Sequence, residues 1–125
     1  MKRLMMTLLA TGISMGAMSH AYAAGDANHG SKVFEEECAD CHSVKESKNK
    51  KGPSLFSIVG RKSATIADFN YSDAMRAKNT VWTADAIGEY IHAPKKSVPG
   101  GKMKYDGLDD EKARADVVAF LGTLH

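Results

Sequence analysis

Cys38-Ala39-Asp40-Cys41-His42 holds both cysteines of this 125-residue chain. Two thiols three residues apart, followed at once by an imidazole, leave few ways to fold. A redox pair of the thioredoxin type wants an open α/β sheet, and the chain shows no alternating strand pattern. A zinc site needs a fourth ligand and usually a second Cys/His pair at short spacing, which is missing. A plain disulfide uses the sulfurs but leaves His42 idle. Covalent attachment of a c-type haem uses all three groups. Thiols at i and i+3 sit about one helical turn apart, on one side of the turn. From there each can add to one vinyl group on the same porphyrin edge, and His42 then lies under the ring, within reach of iron.

The N-terminus points to export. Lys2-Arg3 is a short positive start, Leu4 to Met18 is uncharged and mostly apolar, and Ala21-Tyr22-Ala23 is a small-x-small cleavage pattern. This is the layout of a secretory signal peptide over residues 1–23, cleaved after Ala23. The apolar stretch falls short of the roughly 18–20 residues of a spanning helix. The expected product is one domain, residues 24–125, soluble and periplasmic. Hydrophobic residues at 43% and charged residues at 26% suit a globular domain and not a disordered or nucleic-acid-coating chain. The formal charge is +2, but the leader carries Lys2 and Arg3 and no acid, so the mature chain is electrically balanced. Any steering of partners must come from how its charges are arranged.

The remaining pattern is helical. Asp26 can cap a first helix on which Ala27, Gly30, Val33, Phe34 and Cys38 recur at three- and four-residue steps. Glu35-Glu36-Glu37 continues it as a solvated face. From Ser43 to Asn70 no period is sustained, and Lys, Ser, Gly and Pro predict a loop. Loops longer than about 12–15 residues are unusual in compact domains; a large flat cofactor gives this one something to pack on. Ser72 to Lys78 predicts a short helix. Thr83 caps a third, with Ile87, Tyr90 and Ile91 on one face and Pro94 as its stop. Pro94 to Gly107 reads as irregular. Asp109 is the expected cap of a last helix with Ala113, Val117, Phe120, Leu121 and Leu124 as its stripe. The expected class is all-α.

A second axial ligand has to come from a distant segment. After cleavage only Met75 and Met103 remain as thioethers. Met75 sits in a short helix, where core packing is the favoured reading. Met103 lies in an irregular loop that can bend a thioether inward, and is preferred. His92, just before Pro94, is the nitrogen competitor. His29 and His125 read as solvated helix positions.

The chain resembles the class I c-type cytochromes, in particular the mitochondrial cytochrome c and bacterial cytochrome c2 branch. The likeness rests on Gly30 and Phe34, Cys38 to His42, Gly52-Pro53-Ser54-Leu55 and Gly60-Arg61-Lys62. It continues through Phe69 to Ala74, Trp82, Glu89-Tyr90-Ile91, Pro94-Lys95-Lys96, Pro99 to Met103 and Ala113 to Asp116. The resemblance implies the cytochrome c fold around one covalent haem c. It implies thioethers from Cys38 and Cys41, and His42 and Met103 as metal ligands. By the same likeness the Pro53 carbonyl accepts the other His42 N–H. Tyr71 and Trp82 bind a haem propionate with Arg61 nearby, and Tyr90 sits beside the Met103 sulfur. Gly30 and Phe34 are expected to meet Val117 and Phe120 where the first and last helices cross. Two positions depart from the family pattern. Gly101 replaces a usual threonine and is expected to loosen the ligand loop, and Met75 replaces a frequent asparagine and makes the interior drier.

These ligands imply a one-electron carrier and no enzyme. With both axial positions filled, substrate has no open site; a small haem peroxidase or a gas sensor would need one. Lys45, Lys95, Lys96, Lys102 and Lys104 are expected around the exposed haem edge, docking acidic redox partners transiently. By resemblance those are a cytochrome bc1-type donor and an oxidase, reaction centre or periplasmic oxidoreductase. No stable membrane insertion, nucleic acid or oligomer is expected.

Overall fold

Asp26 opens the first helix as its pattern predicts: its carboxylate accepts the backbone N–H groups of Asn28 and His29 at 2.9 and 3.3 Å. The computed structural model describes residues 25–125 of the chain, so the expected leader lies outside the described residues. Helix α1 runs Ala27–Glu37. The loop that follows contains no helix up to α2, Asp73–Lys78, which the Ser72 hydroxyl caps through Met75 N–H at 3.0 Å. Helix α3, Ala84–His92, starts at Thr83, whose hydroxyl takes Ala86 N–H at 3.1 Å. Among the described residues there is no strand. The nearest approach is one antiparallel bridge between Lys62 and Val81, and it brings Arg61 beside Trp82 through a 2.8 Å backbone bond.

Two expected boundaries need correction. Pro94 stops α3 but also begins a short helix, α4, Pro94–Ser97, in a stretch that reads as irregular. A proline suits the first helical position because its missing N–H would be unpaired there anyway. The last helix, α5, Glu111–Leu121, is capped by Asp110 and not by Asp109; the Asp110 carboxylate takes Ala113 N–H at 2.8 Å. The Asp109 carboxylate lies instead 3.5 Å from His92 Nε2.

Helices α1 and α5 cross at Gly30. A Cβ there would run into the Asp116 carbonyl and lie 2.9 Å from the Phe120 Cβ, so the backbones meet at a distance only glycine allows. The Phe34 and Phe120 rings then tilt together at 5.7 Å, 52° between planes. Such a pair adds about 0.5–1.5 kcal/mol beyond its buried area. Val117 (1% exposed), Leu121, Val33, Ile87, Ile58 and Trp82 complete the core. These are the contacts expected for Gly30, Phe34, Val117 and Phe120.

The same crossing buries Asp116, 1% exposed. Its carboxylate accepts Asp26 N–H at 2.7 Å, the His29 Nδ1 at 2.7 Å and the Lys112 ammonium at 2.6 Å. His29 is therefore a clasp between helices and not merely a solvated position. The Lys112 hydrogen bond, and after it the Asp26 N–H, hold the Asp116 carboxyl down at about 2.

Two glycines make a matched test of the crossing. Ala is intrinsically better than Gly in a helix by about 1 kcal/mol. Gly88→Ala, where a Cβ meets nothing within 4 Å, is expected to stabilise by up to about that amount. Gly30→Ala is expected to destabilise by about 1–3 kcal/mol through overpacking; denaturant midpoints read both. For Asp116 the folded value lies below the ordinary 3.8, so the ionised carboxylate supports the fold above about pH 4. That support is lost as pH falls through about 2. Asp116→Asn is expected to lower stability at neutral pH and flatten its fall over that acid range, measured by denaturation at stepped pH.

Candidate haem-binding site

The motif cysteines continue α1. Cys38 N–H and Ala39 N–H both donate to the Phe34 carbonyl, and Cys41 N–H and His42 N–H both donate back to Cys38 at 3.1 and 2.9 Å. This extra turn puts Cys38, Cys41 and His42 on one wall of a cavity of about 350 Å³, within the range of small-molecule sites. The two sulfurs are not joined to each other. Burial, then the neighbouring Glu37 and Cys41, push the Cys38 thiol up to about 11. A thiol held protonated is poorly suited to disulfide exchange, which proceeds through the thiolate.

The loop from Ser43 to Asn70 is built to hold the imidazole. His42 Nδ1 lies 2.8 Å from the Pro53 carbonyl, as expected. Gly52 N–H donates to Cys41 at 2.7 Å and Leu55 N–H to Ser43 at 2.9 Å, so segments 41–43 and 52–55 clasp each other. A Cβ on Gly52 would fall on the His42 ring; the glycine lets backbone pack flat against imidazole. Burial lowers the His42 pKa, with Arg61 and Lys50 adding to the effect against the opposing Pro53 hydrogen bond. A neutral ring whose Nδ1–H donates to a carbonyl keeps its Nε2 lone pair for a metal.

The polar candidates gather at the same cavity. Arg61 donates through Nη1 to Phe56 O at 3.1 Å and through Nη2 to Ser54 O at 2.9 Å. Burial lowers its pKa, while Tyr71 opposes this. The Tyr71 hydroxyl accepts Ile66 N–H at 3.2 Å, which leaves its own O–H to donate. Trp82 stacks obliquely on Tyr90, centroids 5.1 Å apart, and burial pushes the Tyr90 phenol up. Arg61, Tyr71, Trp82, Tyr90 and Met103 all border the cavity.

So does Met75, whose side chain packs on the core as well. Its position among core residues agrees with the packing role expected of it. His92 does not border the cavity and faces Asp109. Of the five docking lysines, Lys102 and Lys104 border the mouth, whereas Lys45, Lys95 and Lys96 do not. Lys95 is engaged with Asp106 at 2.5 Å.

Bordering residues that the sequence did not mark as part of the site include Lys51, Glu37 and Tyr105. Tyr105 had a signal: an aromatic two residues after Met103, in a loop with no helical face to bury it. Glu37 had none, because one glutamate in a run of three carries no mark of its own.

The cavity fits a haem on its own chemistry. Apolar walls carry two thiols at one edge, a neutral imidazole behind them, a thioether, and Arg, Tyr and Trp donors suited to carboxylates. The family model described as Cytochrome c matches residues 27–125. The chain belongs to the cytochrome c family. Cytochrome c2 of Rhodopila globiformis is 44% identical over 100 residues, 80% of this chain and 94% of that one. Cytochrome c 2.1 of Caenorhabditis briggsae is 42% identical over 98 residues, 78% of this chain and 88% of the nematode protein. Cytochrome c of Arabidopsis thaliana gives 42% over 98 residues, with 78% and 88% covered. Cytochromes c are small haem electron carriers, and haem c is held covalently through two cysteines, here Cys38 and Cys41.

Proposed function

We propose that this cytochrome c is a soluble periplasmic one-electron carrier with His42 and Met103 as its axial pair. The observation that carries this reading is that His42 and Met103 border one cavity whose edge holds both cysteines. When bound, haem supplies an iron that cycles between ferrous and ferric.

His42 offers Nε2 while Pro53 holds Nδ1–H, which would keep the ring in one orientation as the iron changed oxidation state. Met103 offers a soft thioether from a separate segment, a ligand that favours ferrous iron and raises the potential. The apolar walls act in the same direction, because the ferric centre carries one more positive charge. Arg61, Tyr71 and Trp82 supply donors and positive charge for the propionates. If His42 and Met103 both held the iron, no open position would remain for a substrate, which supports a carrier over a peroxidase. The export layout of residues 1–23 supports the periplasm. Lys102 and Lys104 at the mouth, joined by Lys51, support a positive docking face for acidic redox partners. These are a bc1-type donor and an oxidase, reaction centre or periplasmic oxidoreductase.

Visible spectra test the ligands. The parent is expected to be low-spin with a Met–iron charge-transfer band when oxidised. Met103→Ala is expected to lose that band and to bind CO tightly when reduced, while Met75→Leu keeps the parent spectrum. A parent that itself binds CO tightly would overturn the carrier reading. For docking, Lys51→Glu, Lys102→Glu and Lys104→Glu together are expected to slow association with an acidic redox partner by about tenfold or more at low ionic strength. Stopped-flow traces over a salt series are also expected to show a flatter salt dependence; an unchanged slope argues against the patch.

A further inference from the structure

The segment carrying Met103 is held by side chains rather than by its backbone. Gly101 N–H donates to Val98 at 3.0 Å on one side and Leu108 N–H to Ile91 at 2.9 Å on the other. Among the described residues, positions 102–107 between them make no backbone–backbone hydrogen bond. Three side-chain ties remain. Lys102 Nζ donates to the Asn70 carbonyl at 3.1 Å, at an exposed site. Lys95 pairs with Asp106, but the two side chains are 66% and 95% exposed, and ion pairs in that setting contribute little. The third tie also ends on an exposed side chain, Glu37, but its donor is half-buried. The Tyr105 hydroxyl donates to the Glu37 carboxylate at 2.6 Å, a short bond to an ionised acceptor of the stronger class. Tyr105 is half-buried and borders the same cavity as Met103.

Its far end matters as much. Glu37 is the last residue of α1 and directly precedes Cys38. The bond therefore closes a short circuit across the cavity mouth, from Met103 through Tyr105 and Glu37 to the first attachment cysteine. We infer that the Tyr105–Glu37 hydrogen bond is a latch that holds the Met103 segment against the haem-attachment turn. Tyr105 and Glu37 are thus positioning residues for the sixth ligand. This rests on Met103 being that ligand.

Imidazole binding to the oxidised holoprotein tests it, because the incoming base must displace Met103. At saturating imidazole the observed rate reports release of the thioether. Tyr105→Phe keeps the ring and removes only the hydroxyl; it is expected to speed release by about tenfold, the loss of one hydrogen bond to a charged group. Glu37→Gln keeps an acceptor and is expected to fall between parent and Glu37→Ala. Tyr105→Phe combined with Glu37→Ala is expected to be no faster than the faster single variant, since both remove the same bond. All variants are expected to retain the Met–iron band. Single-variant rates within about twofold of the parent, or effects that multiply in the double variant, overturn the latch. A parent with no Met–iron band overturns the Met103 assignment and the latch together. A normal band with unchanged release overturns the latch alone.

Discussion

The backbone contact between α1 and α5 at Gly30 governs where everything else lies. With no Cβ between them the helices close until Phe34 and Phe120 touch and Asp116 is sealed beneath. The turn from Cys38 to His42 grows directly out of α1, through two bonds to the Phe34 carbonyl. Its sulfurs and imidazole are therefore placed by helix packing near the other end of α1. A rigid scaffold carrying chemistry on its terminal turn is more accurate than a free loop would be. Asp116 adds a polar counterpart to the apolar contact: three donors meet one carboxylate, so the crossing is satisfied as well as filled.

A second constraint acts inside the cavity. Electron transfer suits a centre whose surroundings change little between oxidation states, and the chain meets this by holding its polar groups in advance. His42 is fixed by Pro53 on one side and by the bare backbone of Gly52 on its face. Arg61 is fixed by two loop carbonyls. The burial that keeps His42 neutral also makes the walls a poor solvent for added positive charge. One apolar environment thus sets the protonation state of His42, and under the proposed ligation it would also set the preference of the iron.

Local signals in the sequence carried far. Asp26, Ser72 and Thr83 were legible as caps because capping is decided within three residues, and all three side chains make the expected bond. The last cap was one residue off because Asp109 and Asp110 offer the same carboxylate, and only the approach of the chain past His92 selects between them. Pro94 was legible as a stop and not as a start, since the two roles share one conformation. The Cys38–His42 turn was readable from spacing. The hold on His42 by Pro53 came from resemblance, and the face contact with Gly52 from neither, because close approach of distant backbone leaves no periodic trace. The nearness of Arg61 to Trp82 likewise came from resemblance and not from pattern, since it is made beside a single Lys62–Val81 bridge between segments without a strand period. Nor could His29 be seen to reach Asp116, a partner 87 positions away.

The irregular loop beneath the imidazole has its own point of wear. Asn49 joins it twice: its Oδ1 accepts Ser54 N–H at 3.0 Å, and its Nδ2 donates to the Asp68 carboxylate at 3.1 Å. Ser54 in turn supplies the carbonyl that holds Arg61 and follows the proline that holds His42. Hydrolysis of that one amide, the common chemical ageing of asparagine, would preserve the acceptor but turn the donor into a second carboxylate facing the first. Two negative charges at hydrogen-bond distance repel. Damage to a single half-exposed side chain that does not border the cavity would therefore be passed through one serine to both the guanidinium and the imidazole.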